Sequence, residues 1–348
     1  MQSYYLIFSL FLIFLIKYIP SAQYIKRRRM VILAVLFLSL IAGLRNPLAV
    51  VGSDIYNYYM MYVSCIRIEN ICEATQQLPV EAGYIILNWI IGKIIPWGQF
   101  IVILVPLICI SICMWFISKY SCDVWLSIVI FVVLGGYTFV QTGFRQGLAI
   151  YLCMISIHYA INKKLILYLF FIALAVSFHQ TAIIFAPMYY FINRKLNLKN
   201  AFYDIALSTL IGLLSATLIS FGNELFGKTY TGDSWGNILG PSIAIFFYSF
   251  SIIALLRSSL LNPIINETPV FKFVHLLILG VCIYTFRFQS LILERVSFYF
   301  TPYIVIVLPY ALKYNFTIKD YNMLKIVFAL FLILLCWHRN NIPYDFFW

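Results

Sequence analysis

Between Lys93 and Lys119, between Asp123 and Arg145, and between Lys164 and Arg194 the chain carries no Asp, Glu, Lys or Arg. Uninterrupted apolar runs of this kind constrain the fold more than any motif in the sequence. About 20 apolar residues in a helix span the ~30 Å hydrocarbon core of a bilayer. In lipid the backbone must satisfy its own hydrogen bonds, which a helix does. Composition agrees. Hydrophobic residues make up 63% of the chain and charged ones 10%, against ~25% charged in an ordinary soluble domain, and mean hydropathy is +0.94. A soluble globular protein is excluded. The 348 residues leave room for roughly ten to thirteen crossings and for no second domain. The expectation is an all-α polytopic membrane protein, a single integral domain over residues 1–348.

The net charge of +12 reads as topology, because Lys and Arg hold cytoplasmic loops inside. The one dense basic run, Lys26-Arg27-Arg28-Arg29, lies between two apolar segments, which gives no nucleic-acid surface. The first segment, Tyr4 to Ile19, has positive charge after it and none before it. That is the reverse of a secretory signal, so it is expected to stay as a crossing with its N-terminus outside. Met30 to Leu44 returns. Residues 45–98 form an outward loop holding Arg45, Asp54, Arg67, Glu69, Glu73 and Glu81, with Ala82–Ile95 inside it as a re-entrant or interfacial helix too short to cross. Further crossings are expected at 99–117, 123–141, 146–161, 164–178, 180–192, 201–221, 241–257, 272–288, 296–312 and 322–338. This gives twelve crossings with both termini outside and the whole net charge on the cytoplasmic side. Among the eight cysteines, Cys65 and Cys72 share the outer loop, and a disulfide between them is left open.

The outer cations differ in kind from the inner ones. Inside they are mostly Lys; outside, Arg45, Arg67, Arg145, Arg287, Arg295 and Arg339 predominate. Sidedness has no need of Arg. A guanidinium is a planar fork of donors suited to phosphate or carboxylate and is always charged. One such Arg could simply snorkel to lipid phosphates. A recurring outer set points instead to a shared anionic ligand.

Five constellations sit on that side. In Arg45-Asn46-Pro47…Val51-Gly52-Ser53-Asp54-Ile55-Tyr56-Asn57-Tyr58-Tyr59, Ser53 or Asp54 is placed to cap a helix. Asp54 is equally placed to serve an acceptor, with tyrosines against sugar rings. Glu81-Ala82-Gly83-Tyr84…Leu87-Asn88 puts a carboxylate at the mouth of the re-entrant element. There it either marks the membrane boundary or deprotonates a hydroxyl. Phe144-Arg145-Gln146-Gly147 sets an arginine at a helix N-terminus, an anion site. Phe178-His179-Gln180-Thr181-Ala182 is the apex of a hairpin whose halves are too short to reach the surface, so His179 should lie in a recess. Arg287, Glu294-Arg295 and Tyr299 supply either a structural ion pair or more anion contacts. His158, His275 and His338 read as structural. The sequence holds no DxD, P-loop, HExxH or GxSxG pattern, so neither a metal nor another cofactor is expected.

These residues, in this order from about 45 to 300, resemble the EpsG-like family of Wzy-type polysaccharide polymerases. Ser53 and Thr181 stand where Thr and Ser are expected, and each keeps the hydroxyl. The resemblance implies a GT-C-like enzyme of the bacterial inner membrane with its active site facing the periplasm. It would transfer a growing glycan from undecaprenyl pyrophosphate to a lipid-linked repeat unit, as in O-antigen or exopolysaccharide elongation. Its partners would be lipid-linked oligosaccharides, membrane lipid and a chain-length regulator. The residue types then divide into Arg45, Arg145, Arg287 and Arg295 for pyrophosphate, Asp54, Glu81 and His179 for catalysis, and Tyr56, Tyr58, Tyr84, Gln146 and Tyr299 for sugar or acceptor. A ligase-like transferase shares the donor site. A flippase would carry ionisable residues near the midplane and internal repeats, and neither is evident.

Overall fold

The structure, a computed structural model, describes residues 24–215, 217, 220, 239–262, 268–288 and 290–339. Among these residues it is helical throughout, with no β-strand. The expected crossing at Tyr4–Ile19, most of the 222–240 loop and the side chain of His338 lie outside the described residues.

The helices are α1 (Tyr24–Gly43), α2 (Asp54–Arg67), α3 (Ile71–Gln77), α4 (Ala82–Ile94), α5 (Gln99–Tyr120), α6 (Val124–Val133), α7 (Gly136–Thr142), α8 (Phe144–Ile161) and α9 (Leu165–Phe178). After them come α10 (Met188–Ile192), α11 (Leu198–Leu213), α12 (Leu239–Leu261), α13 (Val270–Thr285), α14 (Leu291–Ser297), α15 (Ile304–Asn315) and α16 (Ile318–Arg339). Two described helices, Gln99–Tyr120 and the Pro241–Leu261 part of α12, are long and apolar enough to cross a membrane. The pair α6 and α7 makes a third if its 53° bend counts as a break within one span.

Several expected crossings are broken, for local reasons. The 123–141 segment bends at Gly135, whose φ of 95° only glycine adopts at little cost. The 180–192 segment is a 3-10 turn, Gln180–Phe185, followed by the short α10. Pro187 between them has no N–H to continue the ladder. Residues 296–312 fall into the end of α14, a 3-10 turn at Thr301–Tyr303 and α15. The outer loop is folded, not irregular. Ser53 caps α2, its hydroxyl accepting from the Tyr56 N–H, and Asp54 is the first helical residue. Cys65 is buried and Cys72 exposed, and both are free thiols.

Burial sorts the helices into inner and outer. Every residue of α6 is buried, and nearly all of α13. Outer helices present apolar side chains outward instead: Ile166 of α9 is 84% exposed, Phe202 of α11 67% and Ile253 of α12 66%. In water such a surface would aggregate; against lipid tails it costs nothing. The unit of α2, α3 and α4, expected outside, has its own small core of Cys65, Ala74 and Ile85. Trp89 Nε1 donates to the Ile68 carbonyl at 3.0 Å and the Tyr62 hydroxyl to that of Ile95 at 2.8 Å. Gln99 fixes the end of α1 by donating to the carbonyls of Gly43 and Arg45, at 2.7 and 2.8 Å.

The polar contacts also sort into two sets. Arg27 to the Ser121 carbonyl, Lys325 to Asp123 and Arg194 to Asp204 join residues expected inside. Arg145 to Glu81, His179 to Glu81 and Arg287 to Glu294 join residues expected outside. Among the described residues no ion pair links one set to the other.

A candidate active site where three elements meet

Glu81 is the residue before α4, in the N-cap position, yet its side chain makes no capping bond. It turns inward and is 3% exposed. One carboxylate oxygen, Oε2, accepts from Arg145 at the start of α8; the other, Oε1, lies 3.3 Å from His179 Nδ1 at the end of α9. Residues 64 and 98 positions away in sequence are thus clamped to one carboxylate.

Gly83 makes the meeting possible. A Cβ there would stand 2.3 Å from Ser177 Oγ and 2.6 Å from the Ser177 carbonyl oxygen. Only a residue without a side chain lets the first turn of α4 lie against the last turn of α9, and that contact brings Glu81 to His179. The Gly in the Glu-Ala-Gly-Tyr run is the sequence signal for it, readable as a close approach only once the partner is known.

Burial alone would push the Glu81 carboxyl up, but the 3.3 Å contact with His179 and the Arg145 charge outweigh it and hold the group well below the usual carboxylate range. Glu81 is therefore a fixed anion at neutral pH and a poor proton acceptor. His179 presents Nδ1 to it, which leaves Nε2 on the side away from the carboxylate, on a side chain 16% exposed. Arg145 is 24% exposed, and its Nε is buried with no hydrogen-bond partner among the described residues.

Tyr58 of α2 reaches the same arginine. Its hydroxyl is within hydrogen-bonding reach of Arg145, and its ring stacks on Phe144 at 4.9 Å between centroids. Burial raises the Tyr58 pKa, so it stays a neutral phenol; Asp54 and Arg295 also act on it electrostatically. Asp54 and the Arg295 side chain are both exposed. Arg295 is tied in through its backbone, whose carbonyl accepts from Gln146 Nε2 at 2.6 Å.

The remaining expected residues are held in contacts of their own. Arg287 pairs with Glu294 at 3.2 Å and lies over the Tyr284 ring, so its charge is already compensated. Arg45 is buried and donates to the Gln141 carbonyl at 3.5 Å. Tyr56 is half-buried on α2. Tyr84 and Tyr299 are enclosed, 0% and 1% exposed, so stacking against a sugar is not open to them here. Tyr84 packs edge-on to Tyr58, and the Tyr299 hydroxyl bonds Thr181 at 3.0 Å. The amide of Gln146 is likewise spent on Arg295. Packing at the apex needed these three, and sequence spacing carries no sign of how deep a side chain lies. Among the described residues no three His, Cys, Asp or Glu side chains are grouped to hold a metal ion.

No curated protein and no solved structure matches the chain. The sequence model of the EpsG family matches residues 28–346, a stretch that takes in every residue of the cluster. On that coverage the chain belongs to the EpsG family.

Proposed function

We propose that this chain is a polysaccharide polymerase that elongates a glycan on undecaprenyl pyrophosphate, at the outer face of a bacterial inner membrane. Membership of the EpsG family supports a polymerase-type role. The observation that carries the chemistry is the convergence of Arg145, His179 and Glu81 from three elements. The twelve-crossing, GT-C-like arrangement and the periplasmic orientation belong to this same proposal.

In the reaction, the acceptor hydroxyl forms a bond to the anomeric carbon of the growing glycan while the bond from that carbon to the pyrophosphate oxygen breaks. Negative charge develops on the leaving pyrophosphate. Arg145, with its unpartnered Nε, and the exposed Arg295 are the cations for that charge. Arg45, and Arg287 in its pair with Glu294, are the further phosphate contacts of this reading. The acceptor proton passes to His179 Nε2, and the ring is held in the required tautomer by Glu81 on Nδ1. Glu81, already a fixed anion, orients both Arg145 and His179 and does not itself take the proton. The exposed Asp54 and the half-buried Tyr56 serve as acceptor contacts. No divalent ion takes part in any of these steps.

The test is the glycan profile of a strain carrying Arg145→Ala in place of the native gene. Removing one donor to developing charge costs ~10²–10³ in rate, so the strain should hold normal amounts of the protein in its membrane and make single repeat units. Long-chain glycan at the native level would remove Arg145 from the site.

A further inference from the structure

Helix α14 has seven residues, Leu291–Ser297, too few to hold its own conformation, since helices shorter than ~12–15 residues are marginal in isolation. Its place is set by what it touches. The last four carbonyls of a helix have no partner within it. Three are met locally here: that of Glu294 by the Ser297 hydroxyl at 2.6 Å, that of Val296 by the Tyr299 N–H at 3.2 Å and that of Ser297 by the Phe300 N–H at 2.9 Å. The remaining one belongs to Arg295. The Tyr299 N–H that would continue the helical ladder onto it has gone to Val296 instead. Gln146 of α8 meets it from another helix, Nε2 donating at 2.6 Å. A carbonyl only accepts, so the amide nitrogen of Gln146 and not its oxygen must face it. A second tie lies just past the helix. The Tyr299 hydroxyl, on a ring 1% exposed, bonds Thr181 Oγ1 at 3.0 Å, the partner that a buried phenol requires. Both ties start beside the site residues: Gln146 follows Arg145 directly, and Thr181 stands two residues after His179. Leu293 and Ser297 are buried and Arg295, midway between them, is exposed. At about 3.6 residues per turn Arg295 lies on the face opposite to both. The ties therefore fasten its backbone and leave its guanidinium open.

We propose that Gln146 and Thr181 are positioning residues, which fix the end of α14 so that Arg295 meets the same pyrophosphate as Arg145. The inference rests on the pyrophosphate reading of the Arg145 cluster, and it gives Gln146 and Tyr299 a task in place of sugar contact. Without the ties the guanidinium is still present, but the short helix that carries it is no longer held in one place. Binding must then order that helix as well as the ligand, and affinity falls by the cost of the ordering.

The test is calorimetric binding of geranylgeranyl pyrophosphate to the full chain in detergent. Arg145→Ala and Arg295→Ala each remove a charged donor and should weaken binding about tenfold or more. Gln146→Met keeps the size of the side chain but not its donor, and should weaken binding about fivefold. Thr181→Val should do the same, while Thr181→Ser, which keeps the hydroxyl, should bind as the native protein does. The deciding variants are Arg295→Ala/Gln146→Met and Arg295→Ala/Thr181→Val. Each should bind no more weakly than Arg295→Ala alone, because the ties act through Arg295 and the effects of coupled residues do not add. A further loss in the double variants would mean that the contacts support the cluster as a whole, and would overturn the inference. Native affinity in both Gln146→Met and Thr181→Val, with Arg145→Ala weakened, would overturn it while leaving the pyrophosphate reading in place. Native affinity in Arg145→Ala would remove that reading and the inference with it.

Discussion

Glu81 has a role unlike that expected of a carboxylate at a catalytic mouth. Its two oxygens are committed to Arg145 and His179 and its pKa is depressed, so it contributes order and charge in place of basicity. Because the folded value lies below the unfolded one of ~4.3, the pair stabilises the protein above that pH. The contribution is lost as pH falls from ~4.3 toward the depressed value. Melting temperature in detergent, followed from pH 7 down to pH 3, should therefore fall at the acid end in the native protein. It should fall less in Glu81→Gln, which has no carboxyl to protonate. Glu81→Gln should also lose activity, because a neutral amide no longer fixes the His179 tautomer. His179→Gln should lose ~10²–10⁴ in rate, the usual worth of a positioned base. Each of these residues was legible in the sequence as a candidate. Their pairing was not, since nothing in spacing says that positions 81, 145 and 179 meet. The same blindness to depth assigned Tyr84 and Tyr299 to sugar contact when both are enclosed.

The decisive element contact is the first turn of α4 on the last turn of α9. Gly83→Ala introduces a methyl 2.6 Å from the Ser177 carbonyl oxygen, and the backbone must shift to admit it. A displacement of ~1 Å at a catalytic constellation costs about 10²-fold, so Gly83→Ala should fall by that order in polymerisation. Ser177→Ala alone should retain activity. The double variant should not recover it, because removing the hydroxyl leaves the carbonyl in place. A fully active Gly83→Ala protein would mean that the contact does not set the site. Helix existence was readable from apolar runs, and the start of α4 at Ala82 agrees with that reading. Breaks within runs were not, because a left-handed Gly135 or a Pro187 ends a helix without changing the hydropathy around it.

Across the whole molecule, the described ion pairs keep to two separate sets, as expected if the basic residues mark one side of a membrane. Buried charge is organised within the inner set as well. Asp204, 0% exposed, accepts from Arg194 and meets His275 Nδ1 at 2.5 Å. Arg194 and His275 would be left uncompensated in Asp204→Asn, and breaking a buried pair costs about 3–5 kcal/mol. A marked drop in melting temperature is expected for this variant, while a monodisperse sample should keep its transfer chemistry. Sidedness has its own check. In cells with the other cysteines replaced by Ser, exposed Cys72 should react with a membrane-impermeant maleimide added outside. Lys195→Cys, in a background that also lacks Cys72, should react only after permeabilisation. The reverse pattern would invert the topology. Overall helicity and the membrane setting followed from composition and periodicity alone. Helix α2 was announced only by its cap at Ser53, and α3, seven polar-rich residues long, carries little of either signal.

The central claim, that Arg145, His179 and Glu81 assemble a glycosyl-transfer site acting on a lipid pyrophosphate without a divalent ion, is tested most directly with purified protein. The measurement is polymerisation of purified lipid-linked repeat units in detergent with EDTA present, comparing the native chain with Arg145→Ala and His179→Gln. Long chains from the native protein and single units from both variants are the predicted result. Native chain length from either variant, or polymerisation that stops on adding EDTA and returns with a divalent cation, would contradict the account.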